Sequence, residues 1–328
     1  MRPLALFVSA LLAVAGLLHA PPASAGPILD RIKAQGVVRC GGVERPGLIA
    51  IEDSGKAAGL ELDLCRAIAS VVLGPNGRLE FRRYDSDKAF AAARAGADDV
   101  SFLTGAEIID NRLAGKLIPG PIVFDESTAI MVPQDSPVRH VEDLAGQPIC
   151  YSLGGNAQRH LEAWFAARRL SFIRMGFQED VEMNDGYTVH YCKGLAGEAT
   201  TLAETRGSGE TSLSRHRLLP ETLAVYPIMA TTGVADGEWA AIVAWTIHTL
   251  MRAEAPESDW AVGGVDSLRI HAPELGLEEG WQKKLVALVG SYAEMYERNL
   301  GAKSPLGLPR GLNASLTDGG AIVAPYSD

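Results

Sequence analysis

The sequence predicts an α/β protein made of two successive units, and three observations carry that expectation. Short apolar strands alternate with amphipathic helices from Ile28 onward. The alternation halts at a polar, proline-bounded stretch, Pro133-Gln134-Asp135-Ser136-Pro137, and then starts again. With 328 residues and 47% hydrophobic content, the chain is long enough for two cores, since single domains usually hold about 100–200 residues.

Ile28 to Gln35 reads as an opening helix, followed by a buried strand at Val37-Val38-Arg39-Cys40-Gly41. Leu60 to Leu73 places apolar residues at 60, 62, 64, 67, 68, 71 and 72, the core face of a helix that Gly74-Pro75-Asn76-Gly77 stops. Leu79-Glu80-Phe81 is a strand. Asp87 to Ala95 is a helix closed by Gly96, the residue that best tolerates a left-handed cap. Asp99 to Phe102 is again strand-like, and such alternation implies a largely parallel sheet. The second unit opens with a strand at Ser127 to Val132. Pro148 to Ser152 is a strand ending at Gly154-Gly155-Asn156, Ala157 to Arg168 a helix, and Phe172 to Met175 a strand. His190-Tyr191-Cys192 precedes a helix from Thr200 to Arg206. A return at Tyr226 to Gly233 leads into an amphipathic helix at Trp239 to Arg252, a further helix at Gly280 to Glu297 and a Gly/Pro-rich tail.

Composition narrows the function classes. Forty acidic residues against thirty basic ones give a net charge of −10, the wrong sign for a protein whose main partner is DNA or RNA. Aromatic residues at 6% supply little stacking surface for sugars or bases. Residues 1–25 read as a secretory signal peptide: Arg2, an apolar run from Leu4 to Leu18, Pro21-Pro22, and a small-residue cleavage site at Ala23-Ser24-Ala25. The run is short of the roughly 20 residues that span a bilayer. The four cysteines follow this segment. In an oxidising compartment they allow three pairings, and two in each half of the chain favour bridges within a half, with free buried thiols the alternative. No cysteine or histidine spacing suits a metal, and no cofactor motif follows a strand.

Three segments then resemble the periplasmic amino-acid-binding proteins of bacterial ABC transporters, in their general and polar L-amino-acid branch. They are Leu29-Asp30-Arg31-Ile32-Lys33-Ala34-Gln35-Gly36-Val37-Val38-Arg39-Cys40-Gly41, Gly59-Leu60-Glu61-Leu62-Asp63-Leu64-Cys65-Arg66-Ala67-Ile68-Ala69, and the tail with Ser304-Pro305-Leu306-Gly307-Leu308-Pro309-Arg310-Gly311-Leu312-Asn313 and Gly319-Gly320. The resemblance implies a two-lobed periplasmic-binding-protein fold of type II-like connectivity, each lobe an α/β sheet domain, joined by two crossover strands. Lobe one is expected at 26–131 plus 231–328 and lobe two at 132–230. It also implies the pairings Cys40 with Cys65 and Cys150 with Cys192, one in each lobe, and a monomer that serves an inner-membrane ABC permease.

Capture of a free amino acid needs an Arg fork and backbone N–H groups for the carboxylate, and a carboxylate for the ammonium. The resemblance assigns the Arg to Arg112. Read without it, Arg112 is a solvated surface residue. Before it, where the family has hydroxyls and an aromatic, stand Thr104 and Glu107 with only one hydroxyl between them. In lobe two the carboxylate-binding helix start falls at Gly154, Gly155 and Asn156, without the family's threonines. The ammonium-binding Asp falls on Glu198, one methylene longer, which read alone is simply an acidic residue opening a helix. The shell is kept in outline and changed in detail.

These residues predict a non-enzymatic binder of a small polar, amino-acid-like or carboxylate-bearing solute, with no cofactor, no metal and no nucleic-acid partner. Two alternatives stay open. One is a cyclohexadienyl-dehydratase-like enzyme using Glu198 as an acid. The other is a binding-protein relative that has become a partner or sensor for another periplasmic protein.

Overall fold

The structure is a computed structural model that describes residues 26–51, 57–109, 115–207, 215–254 and 275–324. The signal-peptide segment and Arg112 lie outside the described residues. In chain order the first lobe supplies α1 (Pro27–Gln35), β1 (Val37–Val43), β2 (Ala50–Ile51), β3 (Ala57–Ala58), α2 (Leu60–Leu73), β4 (Arg78–Tyr84), α3 (Ser86–Ala95), β5 (Val100–Thr104) and the short α4 (Gly105–Ile109). The long strand β6 (Leu117–Pro133) leads to β7 (Pro148–Ser152), α5 (Asn156–Ala167), β8 (Ile173–Phe177), α6 (Asp180–Thr188), β9 (Gly194–Glu198) and α7 (Ala199–Gly207). β10 (His216–Leu218) and β11 (Ala224–Gly233) return the chain to α8 (Gly237–Arg252), α9 (Trp281–Val289) and α10 (Tyr292–Asn299).

The strands form one mixed sheet in the order β4-β1-β5-β11-β6-β9-β7-β8, with β10 also on β6. Its two wings are parallel, as the alternation predicts: β1 with β4 and β5, and β7 with β8 and β9. The middle is not. β6 and β11 cross between the wings as an antiparallel pair, and each is antiparallel to the wing strand beside it. The expectation of a largely parallel sheet is therefore corrected at its centre. These are the two crossover strands of the two-lobed fold.

β6 is also far longer than its Ser127–Val132 core. Its register against β11 shifts near Met229–Thr231, where a Cβ on Gly120 would meet the Ala230 carbonyl. Glycine there lets the two backbones pass at a bulge.

The disulfides are Cys40–Cys65 and Cys150–Cys192, with Cα atoms 6.5 and 5.6 Å apart. The first ties α2 to β1; the second ties β7 to the chain just before β9. The segments that carry the family resemblance have structural work. Asp63 on α2 accepts from Arg298 Nε and Asn299 Nδ2 of α10, both at 2.7 Å. Asn313 bonds both ways with the backbone of Asp125 on β6, at 2.7 and 3.1 Å, and Arg310 forks onto Glu254 at 2.9 Å. The tail thus clasps a crossover strand to the first lobe.

The helix expected over Gly280–Glu297 is two helices. Ser291 accepts the N–H of Glu294, whose carboxylate accepts the N–H of Ser291. That reciprocal cap starts a new helix after Gly290. No helix among the described residues is long and apolar enough to cross a membrane.

Candidate functional site

The predicted residues fall into two groups at the strand ends flanking the crossover pair. In the first lobe, β5 ends at Thr104, which pairs with Ile228 of β11. Thr104 donates its N–H and its hydroxyl to Glu107 Oε2 at 2.7 and 2.9 Å. Glu107 thus closes the turn into α4 as a local cap.

Beside it lies a carboxylate that sequence reasoning passed over. Glu61 of α2 is wholly buried, and neither of its oxygens has a hydrogen-bond partner. It packs against β1, where a Cβ on Gly42 would come within 2.5 Å of its Oε2. Burial pushes its carboxyl up to about 8; Arg45 pulls against that and Glu107 adds to it.

In the second lobe, Gly155, Asn156 and Glu198 line one cavity of about 230 Å³, with Ser152, Asp180 and Asn184. Gly154 precedes them with φ 76°, a left-handed turn that favours glycine. The N–H of Gly154 already donates to Gln158 Oε1 at 2.9 Å, and Asn156 accepts from Arg159. Among the described residues, the cavity wall carries two carboxylates, Asp180 and Glu198, with the hydroxyls of Thr201 and Thr205, and no Lys or Arg. A cationic or donor-rich group suits such a wall. The two lobes approach each other here: Glu204 of α7 is pushed above its ordinary value by burial and by Glu44, which follows β1.

Glu198 ends β9 directly opposite Thr128 of β6, and Glu126 sits two residues along β6, opposite Tyr226 of β11. By strand alternation all four side chains project from one face of the sheet. Glu126 is fully buried. It accepts from the Thr200 hydroxyl at the start of α7 and, at 2.8 Å, from the N–H of Ser127. Burial pushes its carboxyl up to about 7, the Thr200 and Ser127 hydrogen bonds pull it down, and Glu198 pushes it up again. Thr128 Oγ1 and His160 Nδ1 of α5 share a 2.7 Å hydrogen bond. His160 is held below its usual value by burial and Arg159, against an opposing pull from Glu198. Tyr226, whose ring centroid is 5.8 Å from that of His160, is raised by burial and then by Glu198 and Glu126.

Thr104 and Glu107 therefore engage each other, while Gly155, Asn156 and Glu198 come together in the second lobe. Sequence reasoning missed Glu61, Glu126, His160 and Tyr226. Glu61 does stand inside one of the segments singled out, but as part of a helix face. Among the described residues no group of three or more His, Cys, Asp or Glu could hold a metal ion.

No family model matches the chain. Among curated proteins it is 28% identical to the general L-amino acid-binding periplasmic protein AapJ of Rhizobium johnstonii, covering 97% of this chain and 98% of that one. It is 26% identical to the glutamate/glutamine/aspartate/asparagine-binding protein BztA of Rhodobacter capsulatus, over 92% and 94% of the two chains. Among solved structures it is similar to an ABC transporter periplasmic binding protein from Brucella ovis with glutathione bound: TM-score 0.72, 26% identity, 92% of this chain and 99% of that one. By name these relatives are amino-acid-binding proteins, and a further one from Escherichia coli, 24% identical over 97% of this chain and 96% of its own, is a putative amino-acid ABC transporter-binding protein. The fold is that of the periplasmic binding proteins.

Proposed function

We propose that this chain is the solute-binding protein of an ABC importer and captures an amino-acid-like solute between its lobes. The observation that carries the reading is end-to-end similarity to amino-acid binders combined with a lobe-two cavity that keeps a carboxylate, Glu198, beside a helix start. The lobes divide at 131/132 and 230/231, within β6 and β11. Ligand contacts from both walls favour the closed arrangement over the open one, and a permease reads the difference. Thr104, Glu107 and Arg112 would serve from lobe one; Gly154, Gly155, Asn156 and Glu198 from lobe two. The mature chain begins at Gly26 in the periplasm and acts as a monomer.

The Brucella neighbour puts a γ-glutamyl peptide among the solutes to try. The test is a thermal-shift screen of the mature protein against single amino acids, dipeptides and reduced glutathione, with Glu198→Gln in parallel. A ligand at 100 times its Kd should stabilise the fold by about 2.7 kcal/mol, and Glu198→Gln should remove most of that gain. A screen in which no such solute raises the melting temperature sinks the reading.

A further inference from the structure

Glu126 lies at the junction of the parts that must move. It belongs to a crossover strand, its oxygens are held by the first residues of α7 and by its own strand, and Glu198 stands diagonally across the sheet from it. Two carboxyl groups on one face, one of them wholly buried, resist carrying two negative charges together. We propose that Glu126 positions and charges the solute site: it holds a proton while the cleft is empty and releases that proton to solvent when a ligand ammonium engages Glu198. This rests on the solute-binding reading and adds to it that the ligand carries a cationic amine at Glu198 and that its capture is linked to proton release.

The surroundings of Glu126 support this sign. From β11 it faces Tyr226, from β9 Glu198, and from α10 Tyr296, whose phenol is raised by burial and in smaller part by Glu126. From α5, His160 reaches the site through Thr128. The guanidinium over Tyr296, that of Arg310, is committed to Glu254. Among the described residues Arg159, near His160, and the committed Arg310 are the cations around this group, and the ligand is the added charge that binding brings. Burial is the larger part of what keeps Glu126 protonated and the Glu198 charge a smaller part; an ammonium on Glu198 cancels that smaller part and adds its own attraction, so Glu126 shifts towards its ionised form as the ligand settles. An anionic group in the same place would do the opposite and draw a proton in.

The experiment is isothermal titration calorimetry of the mature protein with L-glutamine, L-glutamate, L-arginine and reduced glutathione, in phosphate and Tris buffers at pH 7.0. The dependence of the heat on buffer ionisation enthalpy gives the protons exchanged. With burial holding Glu126 up to about 7 in the empty protein, up to about half a proton should leave per ligand bound, and affinity should rise with pH between 6.0 and 7.5, by up to about eightfold. His160, held below its usual value by burial and Arg159, is intact in Glu126→Gln, so any exchange it contributes persists in that variant. Glu126→Gln keeps an acceptor for Thr200 and should still bind, with proton release and the affinity slope both gone. Thr200→Ala, which leaves Glu126 in place, should move the release at pH 7.0 from about half towards one proton, so the pair of variants survives a folding failure in either. Binding with no proton exchange, with uptake, or with release unchanged in Glu126→Gln overturns this inference and leaves the binding reading standing. Binding of none of the four solutes overturns both.

Discussion

Glu61 of α2 and Glu126 of β6 are both wholly buried carboxyl groups, yet they are held in opposite ways. Glu61 sits under β1 with no hydrogen bond to either oxygen, so burial dominates and its carboxyl rises to about 8. Glu126 is solvated by protein, through the Thr200 hydroxyl and the Ser127 N–H, and rises only to about 7 despite Glu198 nearby. Burial thus leaves one group mostly neutral at pH 7 and the other close to half-ionised there. What separates them is the number of donors supplied by the backbone and by one threonine.

The first way to break this comparison is covalent. Cys65 lies one helical turn after Glu61, and its bond to Cys40 presses that face of α2 onto β1. Replacing Cys40 and Cys65 with alanine should cost about 3.5 kcal/mol, and replacing Cys150 and Cys192 about 4 kcal/mol because that loop is longer. Urea unfolding of the two double variants measures both. Only the first should also let water reach Glu61 and flatten the pH dependence that Glu61 imposes. Equal pH profiles in the two double variants would disconnect the bridge from the buried acid.

The second way removes the charge from the unpartnered site. Burial raises the Glu61 carboxyl from its ordinary value of 4.5 to about 8 in the folded protein. A carboxyl whose folded pKa is raised favours the folded state at low pH, and that advantage is lost as pH climbs from about 4.5 to about 8, by up to about 1.4 kcal/mol per unit. Glu61→Gln should abolish this loss and gain about 4 kcal/mol at pH 7.5, with no gain at pH 4. Chemical denaturation at the two pH values checks it. A variant less stable at both would mean that Glu61 has a partner the apolar packing conceals.

Much of the fold was legible because its punctuation is local. Gly74-Pro75 and Gly96 end helices where they stand, and Pro148–Ser152 was readable to the residue. Other elements were not, and three of them show why. The first half of β6 carries Pro-Gly-Pro and Asp125-Glu126, which break apolar alternation in a strand stabilised by β11 on one side and β9 on the other. α6 buries only Met183, Gly186 and Tyr187 of its nine residues, too few to mark a face. The break between α9 and α10 did have a signal, Ser291-x-x-Glu294 after Gly290, overridden by the apolar period on both sides. At the site, Glu198 was found through the family resemblance, which puts the ammonium-binding Asp at that position. Glu126 and Tyr226 were not, because their meeting depends on the register of two strands about a hundred residues apart, which no local pattern records.

The smallest and most discriminating change is at Thr200, the donor that Glu126 has and Glu61 lacks. Thr200→Ala should cost about 0.5–1 kcal/mol at pH 5.5, where folded Glu126 is protonated and only a neutral hydrogen bond is lost. Above neutrality the folded protein must ionise Glu126 without that hydroxyl, and a bond to a charged acceptor is worth about 1.5–3 kcal/mol. The destabilisation should therefore grow by about 1 kcal/mol between pH 6 and 8.5, and Glu126 should titrate closer to the value of Glu61. Unfolding free energies across that range measure the growth, with Thr200→Ser, which keeps the hydroxyl, expected to track the parent protein. A penalty independent of pH would place the Thr200 effect in packing alone and leave the lower pKa of Glu126 to the Ser127 N–H.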